Sequence, residues 1–222
     1  MYSPVLYIYG WRQKKCYNTK WLLRLRKAVG FVKSELIKQS INLFVEKGFS
    51  ATSIQDIVDT IGVTKGSFYY HFKSKEALLM DIHSNYIDDL LRRQKTILDT
   101  EKSYKDKLMA IVELIIVDIE KQGAVGRVYF REIRHLKEDN AAIIRQKRAD
   151  FRDNIELLLK EGIEANEFRK ELQPKIITFA ILGITNWSYQ WFNPEGSLSV
   201  KELSAMYTDF ILHGIQSSDA SN

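Results

Sequence analysis

The chain has 222 residues, of which 45% are hydrophobic and 27% are charged. These values are ordinary for a globular protein of one large or two small domains. Only three prolines and eleven glycines occur, which favours long helices over a many-turned β-architecture. The single cysteine, Cys16, excludes an intrachain disulfide, so a reducing cytoplasm is the expected location.

No stretch approaches the roughly 20 apolar residues that a membrane-spanning helix needs. The apolar patch at residues 5–8 is too short for a secretory signal, and it precedes the basic residues instead of following them. We therefore expect no stable membrane association.

The net charge of +5 is unevenly distributed. Residues 1–30 hold seven basic residues and no acidic ones, whereas the rest of the chain has 26 basic and 28 acidic residues. The basic pI therefore does not by itself indicate a nucleic-acid-binding body, and a motif is needed.

Residues 1–30 combine this charge with six tyrosines and tryptophans and show no clean helical period. Three interpretations remain open. The segment is a basic arm that follows DNA phosphates or a groove, a poorly ordered tail, or an upstream extension of a protein whose translation starts near Val29.

Four helices are predicted between residues 32 and 98. Apolar residues recur at helical spacing from Val32, and Gly48 ends that helix. Three polar residues have the N-cap chemistry that begins the next three helices. They are Ser53 before a helix that ends at Gly62, Thr64 before Lys65–His71, and Ser74 before a long helix that runs to about Leu98.

The helical period continues to the end of the chain. It predicts an apolar stripe from Leu108 to Ile119, and further helices over Val128–Leu136, about Ala141–Ile163, 175–192 and 200–215. There is no strand pattern of any length and no internal repeat. The sequence predicts an all-α fold with a basic extension (1–30), a helix-turn-helix domain (31–79, with the first turns of the linking helix 74–98), an effector-binding and dimerisation domain (80–216) and a tail (217–222).

The three short helices after Val32 have the spacing of a helix-turn-helix motif. Gly62 supplies the tight turn between the last two, and Val63 fills the corner between them. The helix Lys65–His71 is then the one that enters the major groove of DNA.

Residues 37–79 resemble the TetR family of transcriptional repressors. The matching elements are LF, GF, TS and I within residues 43–57, followed by GVTKGSFYYHFKSKEALL at 62–79. Ile61 and Phe68 depart mildly from the family pattern, at packing positions. The resemblance implies an all-helical homodimer that binds double-stranded operator DNA.

Nine residues are the candidate DNA contacts. Those at the N-terminus of the third helix are expected to meet base edges. By resemblance, the residues that follow them include contacts to the DNA backbone. The hydroxyl and amide of Ser53 are expected to face a phosphate. They are Ser53, Thr64, Lys65, Gly66, Ser67, Tyr69, Tyr70, His71 and Lys75. Phe68 and Phe72 are expected in the core, and it stays open whether Tyr69 or Tyr70 also packs inward.

A single helix-turn-helix contacts few base pairs, so a twofold dimer on a palindrome is expected. Helices 175–192 and 200–215 are predicted to pair with their copies in a four-helix interface. The first is apolar almost all round, and the second has Leu203, Met206, Tyr207, Phe210 and Ile211 on one face. The alternative is that helix 175–192 is central within its own domain.

Residues 183–198, GITNWSYQWFNPEGSL, resemble the C-terminal region of TetR-type regulators of fatty-acid and other acyl-CoA catabolism. The resemblance implies a small-molecule effector, acyl-CoA being one candidate and a drug-like or other apolar compound the other. Apolar pocket walls are expected from Ile111, Ile115, Phe130, Phe151 and Trp187, with Arg127, Arg131 and Arg134 on the CoA phosphates. The alternative interpretation is that these arginines are solvated and that the tryptophan lies in the core or in an interface.

An enzyme is not expected, because the chain lacks a glycine-rich phosphate loop, HExxH, GxSxG and paired Cys/His spacing. No cofactor or metal is predicted. A helical membrane-surface protein remains the alternative class, suggested by the basic aromatic N-terminus. Whether the regulator represses or activates is open.

Overall fold

The computed structural model describes residues 19–216, which form eight α-helices and one short 3-10 helix. They are α1 Thr19–Ala51, α2 Ile54–Ile61, α3 Lys65–His71, α4 Lys75–Leu98, α5 Tyr104–Arg131, a 3-10 helix Ile133–His135, α6 Glu138–Glu164, α7 Pro174–Trp191 and α8 Val200–Ile215. Strand-like pairing in these residues is confined to the bridge between Phe168 and Gln216. The predicted all-helical fold is confirmed.

The predicted capping residues begin α2, α3 and α4. The hydroxyl oxygens of Ser53, Thr64 and Ser74 accept hydrogen bonds from backbone amides three residues on, at 3.1, 3.3 and 3.0 Å. Gly62 ends α2 in the left-handed conformation, with φ of 67°. Local sequence thus fixes the lengths of the helix-turn-helix elements.

Two predicted boundaries are wrong. The backbone of α1 is helical from Thr19, upstream of the predicted start at Val32, whereas residues 1–18 lie outside the described part of the chain. The stripe at 108–119 and the first residues of the predicted helix 128–136 belong to one helix, α5, which ends at Arg131, and the 3-10 helix Ile133–His135 follows it. Gln122 interrupts α5 with φ of −134° and ψ of 23°, and its amide donates to Asp118 and Asp89, so the helix bends there without ending.

The N-terminal helices share a small apolar core. Leu36, Phe44, Ile57 and Phe68 are fully buried, and Val63 packs partly buried at the corner. Gly48 has φ of 83° within α1, where the chain turns towards α2. This core sets the angle at which α3 stands on the surface.

Helix α5 is the centre of the C-terminal part, since it contacts α4, α6, α7 and α8. Ile111, Ile115, Ile155 and Leu158 pack between these helices. Helix α4 links the two parts, because it begins at the helix-turn-helix and runs along α5 and α6. None of the described helices has the length and apolar character that a membrane span requires.

Helices α7 and α8 each bury one side and expose apolar residues on the other. The buried side of α7 holds Thr178, Thr185 and Ser188 together with Ile181 and Tyr189. On α8 the residues predicted to share one apolar face are only partly buried within the chain, because Leu203 and Ile211 are buried while Met206 and Phe210 are 59% and 70% exposed. The apolar arc of α8 is too wide for a single neighbouring helix to cover.

Candidate DNA-binding site and effector pocket

The N-terminal end of α3 is open to solvent. Thr64, Lys65 and Gly66 are exposed, and Ser67 is half-buried. The hydroxyls of Thr64 and Ser67 lie 3.3 Å apart, so they form a small polar pair at the start of the helix in which the exposed Lys65 is the first residue. These are groups that hydrogen-bond to base edges and phosphates.

The Phe and Tyr residues of α3, together with Phe72 just after it, lie either in the core or on the surface. Phe68 and Phe72 are buried, as predicted. Tyr69 and Tyr70 are 55% and 74% exposed, so neither tyrosine packs inward. Both phenol hydroxyls are therefore presented on the outer side of the motif.

His71 is half-buried at the end of α3, and its ring meets that of Tyr70 edge-on at 4.9 Å. Partial burial, and secondarily the charge of Lys33, lower the pKa of His71 below its usual value. Both causes disfavour the charged imidazole, and a nearby anion would oppose them.

Two predicted contact residues have their polar groups engaged within the protein. The ammonium of Lys75 donates to the carbonyl oxygens of Phe49 and Thr52, at 2.6 and 2.5 Å, and lies 4.3 Å from the ring centre of Phe49. The amide of Ser53 donates to Asp56 at 2.8 Å, in a reciprocal capping box. In the DNA-free chain, Lys75 and the Ser53 amide thus hold the α1–α2 corner and the start of α2, and their phosphate contacts stay a prediction.

The Asp56 carboxylate that completes this capping box also pairs with Lys47 at 3.0 Å. Hydrogen bonds from the backbone and hydroxyl of Ser53 and from Lys47 lower the pKa of Asp56 to about 2. A carboxylate thus stands at the start of α2, next to the predicted phosphate contact at Ser53.

A cavity of about 710 Å³ opens between α4, α5, α6 and α7. Four of the predicted wall residues line it: Ile115, Phe130, Phe151 and Trp187. The fifth, Ile111, does not line the cavity and is fully buried in the core.

The three arginines predicted for the pocket do not line it. Arg127 is exposed on the outer side of α5. Arg131 donates to Phe44, Val45 and Glu132, and Arg134, in the 3-10 helix, donates to His135 at 3.3 Å. These side chains thus lie outside the cavity, towards solvent, α1 or the 3-10 helix.

Three other arginines, all on α6, line the cavity instead: Arg145, Arg148 and Arg152. The guanidinium of Arg148 lies 5.0 and 5.2 Å from the ring centres of Tyr129 and Phe130, and that of Arg152 lies 5.7 Å from Phe179. The sequence held a signal for them, because their spacing puts them on one face of the predicted helix 141–163.

The inner wall of the cavity ends in a buried polar chain. The hydroxyls of Tyr86 and Tyr189 lie 2.6 Å apart, and that of Tyr189 donates to Asp118 at 3.2 Å. Asp118 is fully buried and pairs with Arg93 at 2.5 Å. Burial is the main cause that raises the pKa of both tyrosines, so they stay protonated and act as neutral hydrogen-bonding groups.

The chain matches two protein-family models. Residues 36–82 match "Bacterial regulatory proteins, tetR family", and residues 101–215 match "Tetracyclin repressor-like, C-terminal domain". Together with the helix-turn-helix and the cavity above it, these matches establish the class of protein. The chain belongs to the TetR family of helix-turn-helix transcriptional regulators.

Within that family it is similar to the transcriptional repressor KstR2. The KstR2 of Mycolicibacterium smegmatis is 29% identical over 188 residues, which cover 84% of this chain and 91% of the relative. The structure of the ketosteroid transcriptional regulator KstR2 of Mycobacterium tuberculosis superposes with a TM-score of 0.79 at 27% identity, covering 84% and 95% of the two chains.

A further solved structure shares the fold at 23% identity. AibR, in complex with isovaleryl coenzyme A and operator DNA, superposes with a TM-score of 0.73 over 81% of this chain and 97% of its own.

Proposed function

We propose that this regulator is a repressor that binds a palindromic operator as a homodimer and is released by a coenzyme A thioester. The observation on which the effector class rests is a cavity with an apolar interior and three arginines on one wall. Operator release by a small molecule requires that the effector bind the DNA-bound conformation more weakly than the free one. As a DNA-binding regulator, it acts in the cytoplasm.

The DNA contacts that we propose lie on and around α3. Thr64, Lys65, Gly66 and Ser67 meet base edges, and the exposed hydroxyls of Tyr69 and Tyr70 meet phosphates. His71 adds a third phosphate contact on the same face. Lys75 and Ser53 act indirectly, since they fix the α1–α2 corner and the start of α2.

The homodimer that we propose forms through α7 and α8. Six of the eleven large apolar residues that are exposed in the described chain lie on these two helices: Ile176, Phe179, Trp187, Trp191, Met206 and Phe210. Phe179, Gly183 and Trp187 of this stripe also border the cavity, and a Cβ atom at Gly183 would have no neighbour within 4 Å. A second copy of this face would cover the apolar side chains and let two α7 helices approach closely.

The chemistry of the cavity fits the two parts of an acyl-CoA. Ile87, Leu90, Ile115, Phe151 and Leu182 line it, which suits an acyl chain. Arginines bind phosphate oxygens with paired N–H donors, and the arginines of α6 are partly exposed at the opening. AibR, which shares the fold, binds a coenzyme A thioester, and this supports the proposal.

Helix α4 gives the effector a direct connection to the DNA-binding part. Lys75 in its first turn holds the α1–α2 corner, and Tyr86, Ile87 and Leu90 further along the same helix line the cavity. An effector that shifts α4 changes the separation of the two recognition helices in the dimer, which must match successive major grooves.

Operator release, followed by fluorescence anisotropy, tests the effector class. Isovaleryl-, octanoyl- and oleoyl-CoA are compared with the free acids and with coenzyme A alone. At least one thioester is expected to release the operator while the matching free acid does not. Release by the free acids or by aromatic drug-like cations at equal concentration would overturn the proposed class.

Arginine variants locate the phosphate-binding wall. The double variant Arg148→Met, Arg152→Met is expected to raise the half-saturating thioester concentration by at least about tenfold, since each charge-assisted bond contributes roughly 1.5–3 kcal/mol. Arg127→Met is the matched control, because Arg127 lies outside the cavity. Equal effects of the two changes would place the phosphates elsewhere.

A further inference from the structure

Arg131, the last residue of α5, holds the end of α1. Its guanidinium donates to the carbonyl oxygen of Phe44 and, at 3.2 Å, to that of Val45. These carbonyls belong to the last turn before Gly48, where φ of 83° breaks the helical conformation. Helix ends have carbonyl groups that accept such external donors, so Arg131 fastens α5 to the DNA-binding part.

Glu132 and His135 extend this contact. The side chain of Glu132 is only 2% exposed, accepts a hydrogen bond from Arg131 Nε at 2.7 Å, and lies 3.3 Å from His135 Nε2. The ring of His135 stacks on Phe49 at 5.2 Å between centroids. Arg131 and His135, at the two ends of this segment, therefore both contact the end of α1.

The opposite side of the same corner is held by Lys75 of α4, through the carbonyls of Phe49 and Thr52. The end of α1 leads directly into α2 and α3. Two basic side chains, one from each of two long helices, thus contact the segment of α1 that leads to the recognition helix.

The residues that precede Arg131 line the effector cavity. Tyr129 and Phe130 belong to its wall and are followed in the helix by Arg131 and Glu132. Upstream, α5 departs from helical geometry at Gln122. Residues 123–131 therefore form a helical segment that begins after the irregular residue Gln122. Near its C-terminal end it lines the cavity, and its last residue contacts α1.

We infer that Arg131 is a positioning residue that couples the effector cavity to the helix-turn-helix. Displacement of Tyr129 and Phe130 by an occupant moves residues 123–131 and withdraws the guanidinium from Phe44 and Val45. The end of α1 then keeps its contacts with Lys75 but loses those with the guanidinium, and α3 loses its fixed orientation. The inference rests on the proposed function, since it assumes that the cavity controls operator binding.

The test uses operator affinity of the full-length protein, measured by fluorescence anisotropy. Arg131→Met removes the contact, Arg131→Lys keeps the positive charge beside Glu132 and one donor group, and Arg127→Met removes an arginine of the same helix that does not contact α1. Ala149→Trp puts an indole into the cavity from α6, because Ala149 is a wall residue, and so replaces an unidentified effector. Thermal unfolding of each variant verifies that the measurement is made on folded protein.

Arg131→Met is expected to weaken operator binding about tenfold, within the range of typical allosteric couplings. Arg131→Lys should recover part of that loss, and Arg127→Met should bind like the wild type. Ala149→Trp should weaken operator binding by a similar factor when it is introduced into the wild type. In the Arg131→Met protein it should change operator affinity less than about twofold, because the coupling is already lost.

Two results would overturn the inference: Arg131→Met binding the operator as tightly as Arg127→Met, or the effects of Ala149→Trp and Arg131→Met multiplying independently. A different result concerns the proposed function. If neither Ala149→Trp nor octanoyl-CoA changes the affinity of the wild type, the cavity is not regulatory and the coupling fails with it. The comparison of Arg131→Met with Arg127→Met still decides whether Arg131 positions the DNA-binding part.

Discussion

The ring of Tyr189 lies against the backbone of α5 at Gly126. A Cβ atom at position 126 would lie within 2.9 Å of three ring carbons of Tyr189. The absence of a side chain at Gly126 is thus what allows Tyr189 to reach Asp118 and Tyr86 at the inner wall of the cavity.

Gly126→Ala is therefore expected to destabilise the protein by about 1–3 kcal/mol, the usual cost of overpacking a core. Gly123→Ala is the matched control in the same helix, since a Cβ atom there meets only the guanidinium of Arg127 at 3.7 Å. That control should be neutral or stabilising by up to about 1 kcal/mol, because alanine favours helix. Urea unfolding of both variants measures the difference, and equal stabilities would contradict the packing described here.

Substitutions on α3 test the DNA contacts. Lys65→Ala and Tyr70→Ala are expected to weaken operator binding by roughly tenfold or more, at the scale of 1–3 kcal/mol for a specific contact. Where the lost contact is to a phosphate, the slope of log affinity against log salt concentration should also become shallower by about one unit. Lys73→Ala, at an exposed residue just beyond α3, is the control.

Circular dichroism and dimer mass should stay normal in these α3 variants, because the side chains are on the surface. Wild-type affinity in both Lys65→Ala and Tyr70→Ala would show that the contact assignment is wrong.

Operator affinity should rise as the pH falls from 8 to 6. Burial and Lys33 lower the pKa of His71 in the free protein, whereas a nearby DNA phosphate would raise it in the complex. Binding then takes up a proton, so the complex is favoured at lower pH, by roughly two- to fivefold across this interval.

Anisotropy titrations at constant ionic strength measure this pH dependence. His71→Asn should abolish it, and His213→Asn, at an exposed histidine of α8, should leave it intact. A pH dependence that survives His71→Asn would assign it to another group.

Phe210→Glu should separate the proposed dimer into monomers. Phe210 is 70% exposed in the single chain, and burial of an unpaired carboxylate at an interface is costly, so the dissociation constant should rise at least roughly 100-fold. Analytical ultracentrifugation measures the mass of the variant, which should be that of a monomer. Its operator affinity should also be lower than that of the wild type.

Ile143→Glu is the control for the dimer prediction, because Ile143 is also an exposed apolar residue but lies on α6. A Phe210→Glu protein that sediments like the wild type would exclude α8 from the interface.

Local chemistry explains why the helix-turn-helix was predictable from sequence. Ser53, Thr64 and Ser74 cap helices, and Gly62 adopts a left-handed conformation that is unfavourable for other residues. Both effects depend on the local sequence and not on distant parts of the chain. The division of α3 between buried Phe68 and Phe72 and the exposed residues around them also follows from helical periodicity.

The pocket was predicted only in part, because packing between distant helices decides which side of a helix faces a cavity. Arg131 follows Phe130 directly, yet Phe130 lines the cavity and Arg131 reaches α1. The spacing of Arg145, Arg148 and Arg152 put them on one face of α6, but only the packing of α7 over that face makes it a pocket wall. Likewise, the engagement of Lys75 with two carbonyls depends on how α1 turns at Gly48.

The most direct measurement is a footprint on the DNA upstream of the protein's own gene, made with and without octanoyl-CoA. Two protected half-sites related by a twofold axis, about one helical turn or a multiple of it apart, are expected for the wild type. Protection should be lost with Lys65→Ala and reversed by the thioester. If the wild type and Lys65→Ala protect the same sequence equally, or neither protects any, then α3 does not bind the operator and the proposed mechanism is wrong.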